Sequence, residues 1–167
     1  MTEDAANPGP KARSAARLAA VQALYQAAIG GQSAADIIAE FAAHRLGAEI
    51  DGAQYAEADA SHFEAVVRGV VAGETAIDGL IAEATEQGWG AGRLEITLRA
   101  ILRAAAYEFM ERPDVPARVV IAEYVDLARS FFSDPGKAAF VNGILDSWAR
   151  QLRGGEFAEP AARAAVK

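Results

Sequence analysis

Residues 140–146 read Phe140, Val141, Asn142, Gly143, Ile144, Leu145 and Asp146, and they set an Asn and a Gly inside a stretch whose apolar spacing marks a helix. Val141, Ile144, Leu145, Trp148 and Leu152 fall on one face of that helix. Gly in a helix interior costs roughly 1 kcal/mol relative to Ala, and Asn prefers caps and turns because its side chain competes for backbone hydrogen bonds. Two explanations compete. Either a neighbouring helix packs so closely that no side chain larger than Gly143 fits, or Asn142 is a polar group held out toward a ligand.

The helical reading extends in both directions. Ala and Leu dominate, Pro is confined to a few places, and no strand-like alternation persists beyond a few residues, so the chain reads as all-α with about six to seven helices. A first helix is predicted from about Ala12 to Ala28, with Leu18, Val21, Leu24, Tyr25 and Ala28 as its apolar stripe and Gly30 and Gly31 as its stop. A shorter one covers about Ala34 to His44, followed by a polar connection over 48–56. The segment from about Ala58 to Thr85 contains Gly69, Gly73 and Gly79, so it is one kinked helix or two in tandem. After a Gly-rich loop at 88–92, further helices are predicted over about Arg93 to Glu111 and Ala117 to Phe131. Pro116 stands where a helix N-terminus accepts proline. Asp134 and Pro135 cap the last helix, which runs to about Arg153. The expected organisation is a disordered tail over 1–10, a single domain over 11–153 and a flexible tail over 154–167.

The 167 residues, 52% of them apolar, suffice for one sizeable core. There is no Cys, which removes disulfides, thiolate nucleophiles and Cys-based zinc sites and suits a reducing cytoplasm. Met1 to Pro10 lacks the apolar core of a signal peptide, and no later stretch approaches the ~18 apolar residues of a membrane span. A cytoplasmic protein without a membrane partner is expected. The net charge of −7 argues against general nucleic-acid binding, so any such site must be local.

Catalytic chemistry finds no foothold. His44 and His62 fall in different predicted helices with no ligand-spaced Cys or acidic partners, so no metal is expected. No Ser lies in a nucleophile elbow, and the alternating glycines of 88–92 neither follow a strand nor match a dinucleotide fingerprint, so no cofactor is expected. Carboxylates at three-residue spacing, such as Glu108 with Glu111, are ordinary for solvated helix faces. Binding or scaffolding, not enzymatic turnover, is the better class.

The first helix opens with Lys11, Arg13 and Arg17, and between Pro10 and Glu40 the only acidic residue is Asp36. Arg13 and Arg17 lie four apart and share a face. Ordinary solubility charge is the simpler explanation of such a segment taken alone. As a single-stranded RNA contact, roughly three phosphates would give a salt slope near −2 in log affinity, too little for specificity. Base selection needs aromatic or Arg stacking and hydrogen bonds to base edges. Lys137, Phe140 and Asn142 would supply such groups, with plain core as the alternative for Phe140.

Five blocks in order resemble the NusB family: Val21–Gln22–Ala23–Leu24–Tyr25; Leu102 to Glu108, ending in Ala106, Tyr107 and Glu108; Asp114–Val115–Pro116; Glu123 with Leu127, Ala128, Ser130 and Phe131; and Phe140 to Asp146. The resemblance spans nearly the whole chain, although residues 45–58 depart from it as a loop insertion does. It implies two packed helical bundles and a transcription antitermination factor that binds boxA RNA together with a small-subunit ribosomal protein, NusE. That factor joins RNA polymerase in an antitermination complex with other Nus factors and supports ribosomal RNA transcription. It further implies an RNA-contacting role for Lys11, Arg13 and Arg17 with Gln22 on the same helix, and for Lys137, Phe140 and Asn142. Tyr25, Tyr107 and Glu108 match positions that form or support the partner-protein surface. Ser14 and Ala15 stand where some relatives carry a denser arginine run. Gly143 then reads as a close helix contact and Asn142 as part of an RNA surface. The rival readings are a helical protein-binding adapter or homodimer with weak RNA affinity, and an accessory module of an RNA methyltransferase.

Overall fold

The structure, a computed structural model, describes residues 9–44, 49–50, 53–54, 59–85 and 95–157. Seven α-helices occur among them: α1 (Pro10–Gly30), α2 (Ala34–His44), α3 (Ala60–Ala72), α4 (Glu74–Thr85), α5 (Ile96–Glu111), α6 (Ala117–Phe131) and α7 (Pro135–Leu152). The all-α class read from the sequence holds. Within the 48–56 connection, Glu49–Ile50 and Ala53–Gln54 form two short antiparallel strands, β1 and β2. The Gly-rich stretch 88–92, the predicted start of its following helix at Arg93, and most of both tails lie outside the described residues.

The helix boundaries follow local chemistry. Pro10 occupies the first turn of α1, where its missing N–H costs nothing, and Gly31 closes the helix at φ +71° with its N–H on the Ala27 carbonyl at 2.8 Å. The ambiguous Gly-rich segment resolves into two helices in tandem. They part at Gly73, whose N–H bonds the Gly69 carbonyl at 2.9 Å and whose added Cβ would stand 3.3 Å from that same oxygen. Asp134 caps α7 as its sequence predicts, its carboxylate accepting from the Gly136 N–H at 2.8 Å.

The chain divides into two compact units, residues 1–104 and 105–167, with the boundary inside α5. In the first unit α1 packs on α2 and α3, and α2 packs on α3. Val21, Leu24, Ile37, Phe41, Phe63, Val66 and Val67 are buried there. The Phe41 and Phe63 rings stack with centroids 5.5 Å apart, an arrangement worth roughly 1 kcal/mol beyond its area burial. Arg103 of α5 grips Asp78 of α4 through two parallel bonds of 2.9 and 2.8 Å.

In the second unit α6 packs along α7 over Val120, Tyr124, Ala128, Val141, Leu145 and Trp148. Leu152, expected on the apolar face of α7, is exposed instead, because that face ends with Ala149. The last carbonyls of any helix lack intrahelical partners, and the Arg153 side chain serves two of those in α5 and two more in the turn beyond it. Its Nη2 donates to the Glu108 and Arg112 carbonyls at 3.0 and 2.8 Å, Nε to Phe109 at 2.9 Å and Nη1 to Val115 at 3.0 Å.

Residues 154–157, expected to begin a flexible tail, form a short 3-10 helix. The reason is Glu156. One carboxylate oxygen takes Arg153 Nη1 at 2.6 Å and the other accepts from the Ala117 N–H at 2.8 Å, capping α6 where Pro116 has no side-chain group to do so. Arg153→Ala is expected to lower unfolding stability by on the order of 3 kcal/mol, since four carbonyls lose a charged donor, and Arg153→Lys to recover only part of it. Denaturant unfolding of the variants checks both.

Candidate nucleic-acid and partner interface

The outward face of α1 runs through Lys11, Leu18, Gln22, Tyr25 and Ile29 at helical spacing. Lys11 is exposed, Leu18 and Gln22 are half-buried, and Tyr25 and Ile29 are 41% and 58% exposed. The face is therefore cationic at its start and apolar at its end, with Lys11 and Tyr25 about 21 Å apart along the axis at 1.5 Å per residue. Tyr25 was read on the apolar stripe; it instead points outward, because the buried side of α1 is lined by Ala12, Ala16, Ala19, Ala20 and Ala23 along with Val21 and Leu24.

Arg13 and Arg17 do not behave as a matched pair. Arg17 is 2% exposed, on the side of Ala20, Val21 and Leu24, so the expectation that it contacts RNA from the surface is corrected. In so alanine-rich a helix there is room beside the backbone for a long aliphatic stem to be covered. Arg13 keeps about a third of its side chain exposed (32%) while its Nε donates to Asp59 at 3.2 Å.

Asp59 is the N-cap of α3. Its other oxygen accepts from the His62 N–H at 2.9 Å, and its own N–H donates to the Ala12 carbonyl at 2.9 Å. Burial alone would raise the Asp59 pKa, but the His62 N–H and the Arg13 guanidinium outweigh it and hold the carboxyl below its ordinary range.

The last-helix candidates belong to the second unit. Lys137 is half-buried with Nζ 4.8 Å from the Phe132 ring centroid, a cation–π contact. Phe140 is half-buried and Asn142 exposed. Asn142 lines an open groove of about 540 Å³ with Arg129, Phe132, Ser133, Asp134 and Pro135. Arg129 and Phe132 were not singled out from sequence. Nothing in their spacing marks them, and only the turn between α6 and α7 brings them beside Asn142.

Gly143 departs from its expected role. It is exposed, and among the described residues a Cβ built on it meets no atom within 4 Å, so no neighbouring helix demands a glycine there. Glu108 and Tyr107, expected to form or support the partner surface, lie inside, where only a supporting role fits. Glu108 is 0% exposed, with its carboxylate accepting from Tyr124 Oη at 2.5 Å, and Tyr107 is 8% exposed. A buried carboxylate so engaged belongs to the interior of the second unit and presents no partner surface. Of the three candidates, Tyr25 alone is exposed.

Among the described residues no cluster of His, Cys, Asp and Glu could hold a metal ion, and no helix is long and apolar enough to cross a membrane. The described residues thus form a helical protein with one helix face that runs from cationic to apolar and an open groove of mixed polar and apolar lining. Comparison with known proteins gives the family. The NusB family profile matches residues 14–150. The Transcription antitermination protein NusB of Sinorhizobium fredii is 52% identical over 142 residues, covering 85% of this chain and 88% of that protein. Its counterpart from Agrobacterium fabrum is 50% identical over 142 residues, covering 85% and 86%.

Among solved structures, T. maritima NusB superposes with a TM-score of 0.70 at 28% identity over 87% of this chain and 96% of that one. A chain in the crystal structure of a plectonemic RNA supercoil gives a TM-score of 0.69 at 22% identity over 83% and 94%, a likeness of fold. The chain belongs to the NusB family.

The Asp59 pairing carries a pH signature. A carboxyl lowered in the folded state contributes stability that is present above its unfolded value, near 3.8, and lost as pH falls through the lower folded value. Asp59→Asn is expected to reduce stability by about 1 kcal/mol at neutral pH and to flatten the acid limb of the stability curve. Unfolding midpoints measured between neutral pH and the acid range check it.

Proposed function

We propose that this chain is a transcription antitermination factor that binds boxA RNA together with the small-subunit ribosomal protein NusE and, with other Nus factors, joins RNA polymerase during ribosomal RNA transcription. Its work is assembly and has no catalytic step. The observation that carries the reading is the outward face of α1, where exposed Lys11 begins a surface that ends in exposed Tyr25 and Ile29, while partly exposed Arg13 stands about 200° around the helix on the side of Asp59. Phosphates suit the first half of that face, and an apolar protein surface suits the second. Gln22 stands between the two.

A second RNA-contacting surface in the other unit comprises Lys137, Phe140 and Asn142. There the Asn142 amide, both donor and acceptor, is suited to base edges. Family membership, with 88% of a relative bearing that name covered by the match, supports the antitermination role.

The charge test avoids Arg17, whose loss would act through the interior, and Arg13, whose loss would also unpair Asp59. Lys11→Ala combined with Lys137→Ala is expected to weaken binding to a single-stranded boxA RNA. It should also reduce the salt slope of log affinity by about 1.4, at ~0.7 per phosphate contact. Tyr25→Ala is expected to weaken NusE binding and leave RNA affinity of the isolated protein unchanged. Fluorescence anisotropy at several salt concentrations reads both, and an unaltered slope in the double variant would remove the assigned phosphate contacts.

A further inference from the structure

Arg13 is held by one edge only. Its Nε donates to Asp59 at 3.2 Å, and among the described residues Nη1 and Nη2 have no partner. Arg103 and Arg112 are held differently, each spending Nε and Nη2 together on one carboxylate, that of Asp78 or Asp114. Arg68 and Arg150 also use Nε alone, but toward half-exposed carboxylates one turn away on their own helices. The carboxylate that holds Arg13 belongs to the cap of another helix, α3, and is 6% exposed.

Such an anchor does not let go easily. The Asp59 carboxyl is held below its ordinary range and is ionised at neutral pH, and a buried carboxylate stripped of its counter-charge is costly. An anion arriving at Arg13 therefore meets a guanidinium that stays on Asp59 through Nε and offers its remaining N–H donors. Those donors reach solvent, since neither outer nitrogen is buried. The bond from the Asp59 N–H to the Ala12 carbonyl at 2.9 Å keeps α1 against the anchor.

We propose that Asp59 is a positioning residue for RNA binding: it holds the Arg13 guanidinium by Nε so that Nη1 and Nη2 present a fixed edge to an RNA phosphate. The inference rests on the reading of Arg13 as a phosphate contact and adds to it the group that orients the contact. Fixing a long, rotamer-rich side chain before the ligand arrives removes an ordering cost from binding. The negative charge of Asp59, which would repel a phosphate, is met by Arg13 and by the His62 N–H at 2.9 Å.

The test is a double-mutant cycle on boxA RNA binding by the full chain, with unfolding stability measured for every variant. Asp59→Asn leaves one oxygen to cap the His62 N–H and turns an amide NH2 toward Arg13, so the cap survives while the guanidinium is released. It is expected to weaken RNA binding about fivefold. In an Arg13→Gln background the same substitution is expected to change RNA affinity no further. Asp78→Asn, which breaks the pair with Arg103, is expected to lower stability and leave RNA affinity unchanged. Asp59→Ser, which keeps a cap oxygen too short to reach Arg13, repeats the cycle if Asp59→Asn does not fold. Unchanged or tighter RNA binding on loss of the Asp59 carboxylate overturns the inference, the tighter result making that group a competitor of the phosphate. An equal loss with Arg13→Gln already in place, or in Asp78→Asn, assigns the effect to stability and overturns it as well. If Arg13→Gln alone binds RNA as the unaltered chain does, the inference falls and the functional reading stands on Lys11 and Lys137. Failure of the unaltered chain to bind this RNA, alone and with NusE, overturns the functional reading and the inference with it.

Discussion

The carboxylate of Asp59 is the point on which the candidate surface depends. It caps α3 through the His62 N–H, accepts from Arg13 at 3.2 Å, and its backbone N–H holds the Ala12 carbonyl at 2.9 Å. That last bond ties the first turn of α1 to the cap of α3. Together these bonds anchor the Arg13 side of α1 against α3, while the buried side chains of α1 decide which face turns outward. Arg13, proposed as a phosphate contact, is thus also part of the clamp, so its removal says little about RNA unless stability is measured alongside.

The second unit has a corresponding fastening in Arg153. A guanidinium with five donors can satisfy several carbonyls at once, and here it closes the C-terminal end of α5 while Glu156 caps α6. With α6 fixed at its start and packed along α7, the turn at Phe132–Ser133–Asp134 is positioned and the groove beside Asn142 takes its form. The buried Glu108–Tyr124 bond ties α5 to α6 on the same side of the core. A polar network of this kind specifies one arrangement because leaving any member unpaired is costly.

Much of the fold was legible because its signals are local. Pro10, Gly31, Asp134 and Pro135 act within a turn of where they stand, and their helices begin and end accordingly. The side chains were less legible. In α1 most inward positions are Ala, whose small size gives spacing little to work with: Val21 and Leu24 are buried as the stripe predicts, while Arg17 is buried too and Tyr25, read both on the stripe and as a partner-surface candidate, is exposed. Glu108 looked like surface charge because its partner, Tyr124, lies on another helix. Gly143 looked like a packing residue because a glycine in a helix is explained by its surroundings, and here those surroundings are open. Family resemblance carried the identity of the partners, which no spacing of residues contained.

Amide hydrogen exchange with and without boxA RNA reports where the ligand lies and not only that it binds. Slowed exchange is expected in the first turns of α1 after Lys11 and in α7 around Asn142, with α4 unaffected. Protection confined to α4, or an unchanged pattern in both α1 and α7 at saturating RNA, would contradict it.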